Sequence, residues 1–197
     1  MKTSKSRTRL SPAARKQQLL ATARGIILDA GLQSFTMEAL AREAGVSSPL
    51  VYNYFDSRLT LLQQLLQQEY NAFTEKMTTE VSAADGFEAV VRVFVTSNFD
   101  HRAPGNILPI LQSQPDIASG IKPGEAANHQ QTASFLINNM ASHYKLSKKQ
   151  AELMVRMSSG ASIAAAEFCA DADVDREQAI DVAMDYIFAG LERIANR

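Results

Sequence analysis

The stretch TMEALAREAGVSSPLVYNYF, residues 36–55, decides the fold. It reads as two short helices joined by a tight turn. Thr36 is a good N-cap residue, and Phe35 before it with Leu40 after it has the spacing of a hydrophobic staple. Ser47 repeats the device, with Val46 and Val51 as its staple. Pro49 lies in the first turn of the second helix, where its missing N–H costs little because no intrahelical bond was available to it. Gly45 provides the sharp exit from the first helix.

Two helices of this length around a glycine turn form a helix-turn-helix, whose second helix fits a DNA major groove. The charge distribution agrees. The net charge of −1 divides into +5 over residues 1–58 and −6 over the remainder. A basic head on an acidic body brings one face onto phosphate and keeps the rest away. Taken alone, the same basic segment reads equally well as a solvated tail.

The run Ala-Gly-Val-Ser, three residues, Val-Tyr-x-Tyr-Phe, and then Ser57-Arg58 opening another helix with Leu61 behind it, resembles the DNA-binding domain of the TetR family of bacterial transcription regulators. The likeness covers residues 15–66. Pro49 stands where many members have glycine, and Arg58 where many have lysine, a fork in place of a point donor. The resemblance implies a homodimer on a palindromic operator in double-stranded DNA. It also implies a body that binds a small-molecule inducer of unknown identity, and a repressor. An activator of the same architecture is the alternative, and a helical protein regulated by a protein partner is a second.

Length and pattern predict an all-α protein. With the resemblance, this implies an N-terminal arm and three-helix helix-turn-helix domain over 1–56 followed by a helical ligand-binding and dimerisation domain over 57–197. The first helix begins at Ser11-Pro12 and stops at Gly31, with Leu19, Leu20, Ala23, Ile26, Ile27 and Ala30 as its apolar stripe. A long helix over 57–81 turns Leu62, Leu65, Leu66, Phe73 and Met77 inward, and another beyond Asp85-Gly86 carries Phe87, Val90, Val91, Phe94, Val95 and Phe99. Four of the six prolines and three of the nine glycines fall within 101–124, which predicts short helical pieces and loops there. Helices over 125–144, 147–169 and 175–195 complete the chain.

No stretch of about 20 continuous apolar residues occurs, so no membrane span is expected. The N-terminus lacks the apolar core of a secretory signal. Cys169 is the single cysteine, so an intrachain disulfide is impossible and a reducing cytoplasm is the expected location.

On the second motif helix, Ser48, Pro49, Leu50 and Asn53 are the candidates for reading base edges: Asn53 pairs bidentately with adenine, while Pro49 and Leu50 suit thymine methyls. Ser47 begins that helix and joins the DNA-facing set. The resemblance implies that Tyr52 and Tyr54 touch phosphate or the groove wall, although partial core packing of Tyr52 is an open alternative. Arg58 combines a cationic fork with helix N-terminal amides, a phosphate grip, and Thr36 reaches phosphate through hydroxyl or amide. Arg7 and Arg9 are candidates for an arm in the minor groove.

Pocket candidates in the body are Phe94, Phe99, Ile107, Leu111, Phe135, Met140, Met154 and Met157, aromatics and adaptable methionines that suit an apolar or amphipathic inducer. Ordinary core packing is the competing reading for each. The small side chains Gly160, Ala161, Ala164 and Ala165 let another backbone come close, and Ile180, Met184, Ile187, Phe188 and Leu191 form a stripe on the last helix. Two such helices from each of two subunits would make a four-helix bundle, unless both stripes pack within one monomer.

Neither a cofactor, a metal nor an enzymatic activity is expected. Asp171-x-Asp173-x-Asp175 starts like a calcium loop, but Arg176 stands where glycine is needed and Val182 where a bidentate glutamate is needed. It reads instead as an interhelix loop, with Asp175 as cap and Gln178 placed to reach back. His101, His129 and His143 lack paired ligand spacing. Asp100-His101, and Cys169 with a histidine, sit in no catalytic motif.

Overall fold

The computed structural model describes residues 10–121, 123–172 and 174–195, with side chains outside 123–132. Arg7, Arg9, Asp173 and the side chain of His129 lie outside the described residues. Among the described residues there are ten α-helices, one 3-10 turn and no strand. None of these helices is long and apolar enough to cross a membrane.

The chain divides into two compact units, residues 1–67 with 110–120, and residues 68–109 with 121–197. In the first, α1 (Pro12–Ala30) starts where Ser11 accepts from the Ala14 amide and stops where Gly31 adopts φ of 81°. A 3-10 turn at Leu32–Ser34 leads to Thr36. Thr36 Oγ1 accepts from the Ala39 amide at 3.0 Å and so caps α2 (Met37–Glu43). The exit from α2 is a Schellman motif: the Val46 amide donates to Ala41 O at 2.9 Å and the Gly45 amide to Arg42 O at 3.2 Å. Gly45 takes φ of 65°, a conformation that other residues adopt only with strain.

Then α3 (Ser48–Tyr52) begins at Ser47, whose backbone is extended as a cap requires but whose hydroxyl makes no capping bond. The expected cap is therefore absent, for a local reason. Pro49 has removed the amide of the second helical position, and the Leu50 amide donates to Ser47 O at 3.0 Å instead. Two apolar side chains hold α3 down: Val51 is 0% and Phe55 1% exposed. Burying side chains of this size stabilises by roughly 1.5–3 kcal/mol each. Next, α4 (Arg58–Ala83) opens on Ser57, whose Oγ accepts from the Thr60 amide at 3.0 Å.

The segment 101–124 is broken, as the proline count predicts, into α6 (Leu108–Gln112) and α7 (Pro115–Ala118), which follow α5 (Gly86–Arg102). Within the first unit Gln63 Nε2 donates to Asp116 O at 2.9 Å. Beside that bond Gly120 has no room for a side chain, since a Cβ there would lie 2.6 Å from Gln63 Cγ.

In the second unit α9 (Lys148–Asp171) packs against α5, α8 (Pro123–Tyr144) and α10 (Arg176–Ala195). Ser147 and Gln150 form a reciprocal capping box at the start of α9. At the start of α10 the Gln178 amide donates to Asp175 Oδ1 at 2.9 Å, the cap expected for that loop. Ile180, Met184, Ile187 and Leu191, the stripe offered to a second subunit by the sequence, are instead buried in this chain's own core with Val91, Val95 and Met140. Helical periodicity shows that a face is covered. It does not show by which neighbour. The packing of this stripe within one monomer, the other reading of the same pattern, is what the structure contains.

Candidate nucleic-acid interface and cavity

The faces of α2 and α3 divide sharply by burial. Met37, Leu40, Ala41, Val51 and Phe55 point into the first unit. Thr36, Ser47, Pro49, Tyr52 and Asn53 are exposed, and Ser48, Leu50 and Tyr54 are half-buried. Tyr52 is exposed, at 43%. The missing cap bond leaves the Ser47 hydroxyl available at the start of α3, next to the amides of the first turn.

Arg58 is engaged differently from what its sequence position suggests. Its Nε donates to Phe35 O at 2.9 Å and its Nη2 to Leu32 O at 2.8 Å, with the guanidinium 5.7 Å from the Phe35 ring centroid. Two arms of the fork thus bind the carbonyls of the residue that opens the 3-10 turn and of the residue that follows it. The residue is nonetheless exposed. Lys16 stands 5.9 Å from the Phe55 ring centroid, a second cation against the apolar floor of the motif.

A helix pair with a glycine turn, an apolar underside and an exposed, hydroxyl- and amide-bearing second helix defines a helix-turn-helix DNA-binding protein. The comparisons with known proteins narrow the class. Residues 19–65 match the profile of the family described as bacterial regulatory proteins, tetR family. The chain is 28% identical over 91 residues to the transcriptional regulator BetI of Vibrio atlanticus, a match spanning 45% of this chain and 46% of that relative. The matched region thus covers less than half the length of that relative. Over 194 residues it is 22% identical to the transcriptional activator FasR of Mycolicibacterium smegmatis, spanning 94% of this chain and 87% of the relative. A TetR-like transcriptional regulator from Rhodococcus sp. RHA1 has a similar structure, with a TM-score of 0.62 at 25% identity over 93% of this chain and 99% of that one. Residues 19–65 thus match the DNA-binding domain of the tetR family of bacterial regulatory proteins, and the chain as a whole is similar in fold to a TetR-like transcriptional regulator.

The second unit holds a cavity of about 280 Å³. Phe73, Met77, Phe94, Leu136, Met140 and Val155 form its apolar walls, and Thr74, Ser97, Asn98, Ser158, Ser159 and Ser162 its polar side. Phe94 and Met140 were expected from the sequence. Phe99, Met154, Ile107 and Leu111 are buried core residues, the last within the first unit. Phe135 and Met157 are exposed, at 42% and 58%.

The polar wall was not foreseen. Three of its four serines lie in the run Met-Ser-Ser-Gly-Ala-Ser of α9, whose small side chains suggest close backbone approach more strongly than a hydrogen-bonding surface. The available signal was Ser97-Asn98, a polar pair interrupting the apolar pattern of α5. Among the described residues no group of His, Cys, Asp and Glu could hold a metal ion.

On α9 and α10 the exposed large apolar side chains are Leu153, Met157, Phe168, Val182 and Tyr186. Gly160 and Ala164 are exposed on the same helix as the first three, and Ala161, Ala165 and Phe188 are half-buried.

Proposed function

We propose that this protein is a repressor that holds a palindromic operator as a homodimer and leaves it when a small apolar or amphipathic molecule enters the cavity of the second unit. The observation that carries the reading is the exposed face of α3. Ser47, Pro49, Tyr52 and Asn53 are outward while Val51 and Phe55 are fully buried, so the helix is anchored on one side and presented on the other. In this reading Ser48, Pro49, Leu50 and Asn53 read base edges. Thr36, Ser47, Tyr52, Tyr54 and the outer edge of Arg58 meet phosphate and fix the register.

Dimerisation follows from the stripe Leu153, Met157, Gly160, Ala164 and Phe168 on α9, whose spacing of three or four keeps it on one helical face. With Val182 and Tyr186 on α10 it presents an apolar surface that water disfavours and a twofold copy would cover. Two heads on one twofold axis then match two half-sites. For the inducer to release DNA it must favour the arrangement of heads that misfits the operator, since equal affinity for both arrangements shifts nothing.

Repression is carried by the family resemblance. The relative named as a transcriptional activator supports activation by the same architecture as the second reading. Deleting residues 1–54 tests the core of the proposal. The truncated chain loses DNA binding entirely under it, and retained sequence-specific binding would overturn it.

A further inference from the structure

The chemistry of the cavity wall says more than its size. Ser162, 1% exposed, donates its hydroxyl to Ser159 O at 3.0 Å, so toward Asn98 it acts as an acceptor. Asn98 therefore turns its Nδ2 to Ser162 Oγ, at 2.7 Å. That orientation leaves the carbonyl Oδ1 and the second N–H of Asn98 in the cavity wall, one acceptor and one donor side by side. Ser97 and Ser158 also line the cavity. No Lys, Arg, His, Asp or Glu occurs among the described lining residues.

A wall of this kind accepts a neutral group that both donates and accepts. Among the described lining residues a carboxylate finds no cation to pair with and an ammonium no carboxylate, so against these residues either would be stripped of water without compensation. The apolar part of the lining, with Phe73, Met77, Phe94 and Leu136, suits an alkyl or aromatic body. A cavity of 150 Å³ admits benzene, so about 280 Å³ corresponds to a body and head of about a dozen non-hydrogen atoms.

We propose that the cavity selects an uncharged amphiphile whose hydroxyl or amide head pairs with Asn98 Oδ1 and Nδ2, and that it discriminates against acids and amines of the same length. This deepens the inducer reading above and rests on it.

Three probes of matched chain length, 1-decanol, decanoate and decylammonium, test it against the full-length protein near neutral pH. Ligand-dependent thermal shifts give apparent affinities. The alcohol binds at least about tenfold more tightly than either ion. Asn98→Leu weakens decanol about tenfold, the loss of one hydrogen-bonded contact at a buried head. Asn98→Asp reverses the order in favour of decylammonium. The unsubstituted protein decides the selectivity without any variant: decanoate or decylammonium binding as tightly as decanol, or none of the three binding, overturns the proposal. So does unchanged decanol affinity in folded Asn98→Leu, or an unchanged order in folded Asn98→Asp.

Displacement of a bound operator fragment is followed in parallel. Decanol that binds without releasing DNA upholds the neutral cavity and removes the inducer reading. Release by decanoate and not by decanol upholds the inducer reading and overturns the neutral cavity.

Discussion

Arg58 Nη2 donates to the backbone carbonyl of Leu32 at 2.8 Å, and through it the start of α4 is fastened to the 3-10 turn that precedes the helix-turn-helix. The second arm, from Nε to Phe35 O, makes the attachment a fork with fixed geometry. Such a contact acts on the rigidity of the motif before it acts on DNA.

Arg58→Ala is expected to destabilise the protein by about 1–2 kcal/mol, the range for hydrogen bonds from a charged donor at a part-exposed site. Arg58→Lys keeps the charge but not the fork and recovers only part of that loss. Thermal unfolding checks both. A phosphate contact by the same residue adds a fall of about 0.9 in the logarithmic salt slope of DNA binding for the alanine variant, with lysine restoring it. Unchanged stability in both variants would remove the clamp.

Asn53→Ala is expected to relax preference at one base step, with discrimination there falling by about 1–3 kcal/mol. Binding to a panel of singly substituted operators measures it. An unchanged profile removes Asn53 from the reading set.

Gly120→Ala places a methyl group 2.6 Å from Gln63 Cγ and 2.7 Å from Gln63 Cβ, too close to the backbone for a simple rotamer change. Overpacking of this order costs about 1–3 kcal/mol. Gln63→Gly removes both obstructing atoms together with the bond to Asp116 O. The double variant is therefore more stable than the sum of the single effects predicts, which a denaturant double-mutant cycle reads directly. Additive effects would mean the two residues do not meet.

Stability falls on the alkaline side. The hydrogen bond from Lys76 to Asp100, helped by the charges of Asp100 and Glu80, holds the ammonium above its ordinary 10.5. Burial pushes the Tyr144 phenol above 10.0. In both cases the folded chain holds its proton more firmly than the unfolded one. The contribution is complete below the unfolded values and is lost as pH rises through the folded ones. Unfolding free energy should thus be level just below pH 10 and decline above it, and Asp100→Asn should reduce that decline by removing the Lys76 share. A flat profile would contradict the assignment.

Met157→Asp and Tyr186→Lys each put a charge on the exposed apolar stripe of α9 and α10. Burying that charge across a twofold interface is costly, so sedimentation should show monomers and operator binding should weaken strongly. Variants that remain dimeric would place the interface elsewhere.

The elements that the sequence made legible share one property: their signals are local. Ser11-Pro12 and Gly31 bound α1, and Thr36 caps α2, because caps and breakers act within three or four residues. Ser47 shows the limit even there, since Pro49 two positions on withdrew the amide that its hydroxyl would have met. Ile180, Met184, Ile187 and Leu191 show the larger one. Their spacing announced a buried face correctly, but the partner is α5 and α9 of the same chain, a fact of tertiary arrangement. Asn98 and Ser162 were beyond reach for the same reason, as 64 positions separate them and only the packing of α5 on α9 joins them.

The central claim is sequence-specific DNA recognition by the α2–α3 face. Fragments of genomic DNA selected by the full-length protein at near-physiological salt, followed by anisotropy titration of the best fragment against a scrambled duplex, test it most directly. Recognition by this face predicts a palindromic fragment bound at least about a thousandfold more tightly than the scrambled one. Equal affinity for both, vanishing at modest salt, would reduce the basic head to an electrostatic contact and contradict the account.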